Sequence, residues 1–327
     1  MNSNNIEQID QHDGMVLYHF NDDTHQNSSD DTKQCRGLIY KDNKLVCKSY
    51  PWTLLTTDEQ YIRTTTAEIT YAHEGTVLRV FNVDDKWYIS THKKINAFNS
   101  KWGYLDKTET FGELFYKYVD GKNVLKKLNK NYCYMFLLYI PYNRICCRSN
   151  EYKLYHVTTY DKNMIEIKNT IQTIPKIPNV DKNIDINSID LNQYCGVIIH
   201  EKFPIKVVSK LYLNFINLRG NEPNLYKRFA LLTKPQDRIN FTKLYNDIDF
   251  SNILSKIDQK SIEIHQLFMK KYIYHKYTDN LDSSYNVILC NLQKWHNKDK
   301  SKNIVTQTIV RNYLLNIESR YFNNLLR

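Results

Sequence analysis

Glu68-Ile-Thr-Tyr71, Thr76-Val-Leu-Arg-Val-Phe-Asn82 and Lys86-Trp-Tyr-Ile-Ser-Thr91 follow one another with only short gaps. Each is short and rich in β-branched and aromatic residues, and Asp84-Asp85 between the last two is a tight-turn pair. They read as successive strands. Outward from them the pattern repeats. Gly37-Leu-Ile-Tyr40, a turn at Lys41-Asp-Asn-Lys44 and Leu45-Val-Cys47 predict a hairpin. Tyr132 to Ile140, Arg144 to Arg148, Tyr152 to Tyr160, Gln193 to Ile199 and Ile205 to Phe215 also carry strand character. Thr110 to Val119, with apolar residues at 111, 114, 115 and 118, has helical spacing. Residues 1 to about 33 read as a strand or turn, then a surface loop in the polar cluster Asn21 to Asp31. Pro175 and Pro178 end a short helix-like piece.

After Gly220 the texture changes. Ile304, Val305, Ile309, Tyr313, Ile317 and Tyr321 recur mostly at four-residue steps, and Ile253 to Tyr274 behaves alike. The fold class expected is α+β: an antiparallel-sheet domain over 1–220, then an all-helical, basic domain over 221–327.

Among 327 residues, 42% are hydrophobic and 24% charged, proportions that exclude general disorder. No run of about 18 apolar residues exists, so a membrane helix is not expected. The polar start, Met1 to Asp13, argues against a signal peptide and for a cytoplasmic protein. The net charge is +10, and it is uneven. Asn221 to Arg327 carries 17 Lys+Arg against 10 Asp+Glu, leaving 28 against 25 before it. A basic C-terminal third suits a polyanionic partner, nucleic acid ahead of membrane, unless it is simply a solvated surface. Seven cysteines, none in a Cys-x-x-Cys spacing, read as reduced thiols with no zinc site. Scarce Gly and Pro beside abundant Asn, Lys, Ile and Tyr suggest an AT-rich coding source such as a virus or plasmid.

The order of the pieces adds more. Cys35-Arg-Gly-Leu-Ile-Tyr40, Tyr50-Pro-Trp52, Thr70-Tyr-Ala-His-Glu-Gly-Thr-Val-Leu78 and Lys86-Trp-Tyr-Ile-Ser-Thr-His-Lys-Lys94 come first. Met135-Phe-Leu-Leu-Tyr-Ile-Pro-Tyr-Asn-Arg-Ile145, Tyr194-Cys-Gly-Val-Ile-Ile199 and Ile205-Lys-Val-Val-Ser-Lys-Leu-Tyr212 follow. Over roughly residues 34 to 218 this series resembles the nucleotidyltransferase domain of the phage-type, tRNA-repair ATP-dependent RNA ligases. The resemblance implies a lysine in a Lys-x-Asp-Gly motif that attacks the α-phosphate of ATP, with carboxylates for metal and ribose and a lysine pair for phosphate charge.

The chain departs from that pattern at four chemical positions. Ala72 stands at the nucleophile's place in Ala72-His73-Glu74-Gly75. Leu137 replaces a motif carboxylate, Cys195 replaces another before Gly196, and Val208 replaces one of two lysines, leaving Lys206. Arg36, Glu74, Gly75, Gly196 and Lys206 are the expected pocket remnant. The expected catalytic residues and metal are none, and non-covalent docking of ATP stays open. A relocated nucleophile (Lys93 or Lys94) and a Cys195 nucleophile with His73 or His200 as base are the enzymatic alternatives; a buried structural thiol is the bland one.

Arg36, Lys93, Lys94, Lys206, Lys210, Lys227 and Arg228 are the expected RNA contacts. Tyrosine, 26 residues, interleaves with cations at Tyr226-Lys227-Arg228, Lys270-Lys271-Tyr272 and Tyr274-His275-Lys276-Tyr277, a pattern able to stack on bases while neutralising phosphates. The reading reached is an inactive ligase-like protein that holds RNA, tRNA first, and acts by occupancy, for example as an immunity factor against a tRNA-cleaving toxin. The alternatives are an active ligase with a shifted nucleophile and a protein-binding module that inhibits a toxin directly.

Overall fold

The computed structural model describes residues 5–21, 28–102, 109–119, 121–168, 171–276 and 281–326. Most of the expected polar loop (22–27) and Tyr277 lie outside them. The described residues form two compact units, one from Met1–Trp102 with Glu109–Ile216 and one from Asn217–Arg327.

The first unit holds three sheets. β1 (Ile6–His12), β2 (Met15–Phe20), β3 (Arg36–Lys41) and β4 (Lys44–Cys47) make an antiparallel meander in that order. Its last turn uses Asp42 and Asn43, both at positive φ, as a two-residue hairpin of right-handed twist requires. β5 (Leu54–Thr56) and β6 (Ile69–Ala72) belong to another sheet, ordered β5-β13-β12-β6, with β12 (Gly196–Ile199) and β13 (Ile205–Val207). Only the β5–β13 pair in it is parallel. The remaining sheet, ordered β11-β10-β9-β7-β8, is antiparallel throughout. It contains β7 (Thr76–Val83), β8 (Lys86–Ser90), β9 (Cys133–Tyr139), β10 (Lys153–Tyr160) and β11 (Glu166–Ile167).

β9 is buried at all seven positions, which explains its unbroken apolar run. One face, with Tyr134, Phe136 and Leu138, packs with Phe111, Leu114 and Phe115 of the predicted helix, Phe111–Val119. Cys133 and Met135 meet Met15, Leu17 and Ile39 of the meander on the other. A separate core lies on the β5–β6 sheet, where Ile69, Val197, Ile199 and Val207 pack with Ile62 and Ile186.

Four local expectations are corrected. Ile205 to Phe215 is not one strand: β13 stops at Val207 and a helix runs Lys210–Arg219. Alternating Ile205, Val207, Leu211 and Leu213 suited a strand, but Ser209 Oγ accepts the Tyr212 N–H at 3.1 Å and starts a helix. Arg144 to Arg148 is irregular, because its N–H groups turn to a side chain distant in sequence, described below. Residues 171–174 before Pro175 form a turn rather than a helix. The stripe from Ile304 to Tyr321 divides into helices Gln307–Asn316 and Ser319–Leu326, with Ile317 in extended backbone between them and Ile304 exposed.

The second unit is helical. Leu225–Leu231, Pro235–Leu244, Ile253–Phe268, Ser283–Lys298, Gln307–Asn316 and Ser319–Leu326 follow in order. Asn224, Asp282 and Thr306 cap three of them by accepting N–H groups of the first turn. Ile257, Ile264, Phe268, Ile288, Leu292, Val310 and Leu314 point inward. Among the described residues no helix is long and apolar enough to cross a membrane.

Candidate functional site where β6, β9 and β12 meet

β6 leaves its sheet at Ala72, and after three residues the chain joins the other sheet as β7. Ala72 pairs with Gly196 of β12, and Thr76 pairs with Leu138 of β9. The intervening His73-Glu74-Gly75 is therefore the bridge between two sheets. Its glycine is required by geometry. Gly75 has φ +149°, and a Cβ there would lie 2.6 Å from the Leu138 carbonyl oxygen. Gly196 is tighter still, with φ +145° and a would-be Cβ 2.3 Å from the Val207 oxygen.

The four positions at which the resemblance expects a departure lie here and are shut from solvent. Ala72 is 0% exposed, Leu137 8%, Cys195 1% and Val208 1%. Leu137 reaches to within 3.2 Å of the Cβ position of Gly75, and Val208 to within 2.9 Å of that of Gly196. The Cys195 thiol donates to the Ala72 carbonyl at 3.2 Å, and burial pushes its pKa up. Lys206 and Tyr212 both lie within hydrogen-bonding reach of that thiol. Lys206 Nζ sits 5.3 Å from the Tyr212 ring centre. Tyr212 is buried, which raises its phenol's pKa. Tyr212 was missed in sequence as a site residue because the segment reads as strand; its place depends on the Ser209 cap.

Glu74 is nearly buried and fully engaged. Its carboxylate accepts the N–H of Ile145 at 2.7 Å, of Cys146 at 2.9 Å and of Cys147 at 3.4 Å, and the Cys146 thiol at 3.3 Å. Cys146 and Cys147 are thus not opposite faces of a strand. Both thiols turn inward, to Leu191 O and Asn192 O. His73 stacks on Tyr155 with ring centres 4.3 Å apart. Burial, with Lys153 nearby, brings its pKa down to about 4. A neutral, stacked ring bonded to no thiol does not make Cys195–His73 a catalytic pair. His200 belongs elsewhere, bonded to Thr70 Oγ1 at 2.9 Å and Tyr50 OH at 3.4 Å. It lines a hollow of about 370 Å³ with Glu68, Thr70, Val157, Glu166 and Lys176.

The expected cations separate into groups. Arg36 opens β3 beside His19, and burial together with Arg79 lowers its pKa. Arg79 is wholly buried and donates to the Gly37 and Thr91 carbonyls. His92, in the same cluster, is held down to about 3 by burial and the neighbouring cations. Lys93 and Lys94 form the turn after β8, their N–H groups on Thr91 Oγ1. Lys94 pairs with Asp10 at 3.1 Å. Lys210 is exposed beside a groove of about 500 Å³ that Arg63, Asn187 and Ser209 also line. Two expectations are corrected. Lys227 is buried, its Nζ donating to Ile317 O at 2.6 Å and pairing with Glu222 at 3.0 Å, so it cannot reach a phosphate. Arg228 caps a helix end, donating to Asn217 O and Leu218 O at 2.7 Å each.

No family model matches the chain. The immediate-early protein ICP-46 homolog of Invertebrate iridescent virus 6 is 24% identical over a 362-residue alignment, covering 90% of this chain and 76% of that protein. Its namesake in Invertebrate iridescent virus 3 is 27% identical over 227 residues, covering 64% of this chain and 49% of that protein. Thus the chain spans about half the length of the second relative. Among solved structures, a putative ATP-dependent DNA ligase from Aquifex aeolicus is similar, with TM-score 0.47 and 13% identity over 80% of this chain and 78% of that one. The Naegleria gruberi RNA ligase with PPi gives TM-score 0.34 and 16% identity over 47% and 53%. The α+β class with antiparallel sheets stands on the strand register of the chain itself.

Proposed function

We propose that this chain is a catalytically inactive, RNA-ligase-like protein that binds RNA, tRNA first, and acts by occupancy. The observation that carries the reading is the packed bridge at Ala72. An adenylylating lysine needs a free amine facing ATP and a metal held by carboxylates. Here a methyl group with no exposure occupies the amine's place, and Leu137 and Val208 pack on the two bridge glycines. Cys195 spends its thiol proton on a backbone carbonyl, and Glu74 has its oxygens taken by backbone N–H groups. These residues do not fit a lysyl-adenylate with its divalent metal. Lys206, Lys210 and Lys93 remain as surface or half-buried cations within the same unit.

Positive charge without chemistry suits a grip on a phosphate backbone. The viral, immediate-early naming of the relatives adds a setting in which a cytoplasmic protein that shields tRNA from a cleaving toxin has a use. The test has two arms. Incubation with α-labelled ATP and Mg²⁺ or Mn²⁺ leaves no covalent label on the protein, while a tRNA gel-shift appears at low salt and weakens steeply as salt rises. An AMP adduct on any side chain overturns the reading in favour of an active ligase. Capture of a toxin protein with no RNA shift at any salt overturns it in favour of a protein-binding module.

A further inference from the structure

Of the three cation–tyrosine clusters, one is turned inward at Lys227. The others sit at the end of helix Ile253–Phe268, where the chain does something unusual. Met269–Ile273 is a π-helical turn. The Tyr274 N–H reaches back five residues to Met269 O, and the Lys276 N–H reaches back six to Lys270 O, both at 2.9 Å. His275 closes the turn in the left-handed region, φ +52°. Such wide turns are costly and recur at functional sites. One inserted residue shifts the following side chains by about 100° around the axis, splaying neighbours that an α-helix would line up.

The splayed side chains are cations and aromatics. Lys270, His275 and Lys276 are exposed, and Tyr274 is 57% exposed. Lys271 Nζ donates to Asn286 Oδ1 at 3.1 Å and lies 5.6 Å from the Tyr272 ring centre. Tyr272 approaches Cys290 on helix Ser283–Lys298, and exposed Lys294 follows one turn later on that face. Between Gln266 and Lys276 there is no acidic residue. Among the described residues no carboxylate pairs with Lys270, Lys271 or Lys276. Some other cations of this unit do have carboxylate partners: Lys260 with Glu263, Arg311 with Asp258 and Lys302 with Asp299. Like charges on one turn repel one another, and a polyanion lying across them relieves that repulsion.

We infer that this π-helical turn is the RNA-gripping surface of the helical unit: Lys270, Lys271 and Lys276 hold consecutive phosphates and Tyr274 stacks on an unpaired base. The inference rests on the proposed RNA binding and names where it occurs. An exposed tyrosine ring has the flat face that any unstacked base can cover, while lysines supply sequence-independent attraction. An anionic membrane is a poorer match, since interfacial helices bury a broad apolar face and this turn exposes one Ile and one Tyr.

The test uses the full chain and fluorescein-labelled, unfractionated tRNA, with a fully paired RNA duplex for comparison. Replacing Lys270, Lys271 and Lys276 together by Ala lowers the slope of log affinity against log salt by about 2 and shrinks the affinity loss between 50 and 200 mM salt by about 20-fold. Tyr274→Ala weakens tRNA binding about tenfold and leaves duplex binding unchanged. Lys302→Ala, beside its own Asp299, changes neither. Circular dichroism melting stays at the wild-type value for Tyr274→Ala and Lys302→Ala, whose side chains are exposed, and falls only slightly for the triple variant, which loses the Lys271–Asn286 hydrogen bond. If wild type binds tRNA and the triple variant binds it equally well, the surface is wrong while the proposed function survives. If wild type binds no RNA at low salt, both fall. Binding to phosphatidylserine vesicles that the triple variant loses, with no RNA binding, also overturns the inference.

Discussion

Replacing Glu74 decides whether that residue is the remnant of a pocket or a structural pin. A carboxylate kept for a ligand is exposed to it, and its removal leaves stability unchanged or raises it. Glu74 is instead almost buried, with two short bonds to backbone N–H groups at 2.7 and 2.9 Å and a longer one at 3.4 Å. Each hydrogen bond to a charged acceptor contributes about 1.5–3 kcal/mol, and each donor left bare in the interior costs about 1–3 kcal/mol. Counting only the two short bonds and allowing partial relaxation, Glu74→Ala destabilises the first unit by about 3–5 kcal/mol. Glu74→Gln keeps one acceptor but aims an amide NH₂ at backbone donors, for about 2–3 kcal/mol. In urea, with a slope of about 3 kcal/mol/M, the alanine change moves the midpoint down by about 1 M or more. Tryptophan fluorescence follows the transition well, because Trp52, Trp87 and Trp102 lie in this unit and Trp295 alone in the other. A loss below about 0.5 kcal/mol for both variants refutes the assignment and returns Glu74 to ligand binding.

Ala72→Lys neither restores adenylylation nor is tolerated: placing a charge at a site with no exposure costs about 3 kcal/mol or more, read as a lowered melting temperature with no AMP adduct by mass spectrometry. Gly196→Ala, whose Cβ meets Val207 O at 2.3 Å, abolishes soluble expression, whereas Gly14→Ala at φ +73° with open space around it costs only about 1 kcal/mol; equal effects count against the packed bridge. Lys227→Met destabilises the helical unit by about 3 kcal/mol by leaving Glu222 unpaired, yet leaves the salt slope of RNA binding unchanged. His73 and His156 are brought down to about 4 and His92 to about 3 by burial, against about 6.5 in the unfolded chain. The unfolded chain therefore takes up protons first as pH falls, so stability is full above pH 6.5 and is lost from there toward pH 4. A melting temperature flat across that range contradicts the burial of these rings.

Much of the first unit was legible because its signals are local. The pair Asp84-Asp85, both at positive φ, forms the turn between β7 and β8, a local signal to which Lys41 and Lys130 add ion pairs. Burial of β9 on both faces was legible in its unbroken apolar run. Ala72 and Cys195 come together through the pairing of β6 with β12, whereas Leu137, on β9 of the other sheet, reaches the same place at Gly75. The irregular course of 144–148 was hidden, as its N–H groups are satisfied by Glu74, 71 residues away in sequence.

The cations show the same division most sharply. Their number and their concentration after Gly220 are properties of composition, readable without a fold. Whether each faces solvent is not: Lys227 and Lys270 are the same residue type, each with a tyrosine within two positions in sequence. One is drawn inside by Glu222 and the Ile317 carbonyl, the other is pushed out by an inserted turn. The amino-acid order settled the hairpins and most of the strands, because covalent neighbours set backbone preference. Only packing between distant segments decided which charges meet water, because the cost of burying a charge depends on partners that the chain brings close when it folds.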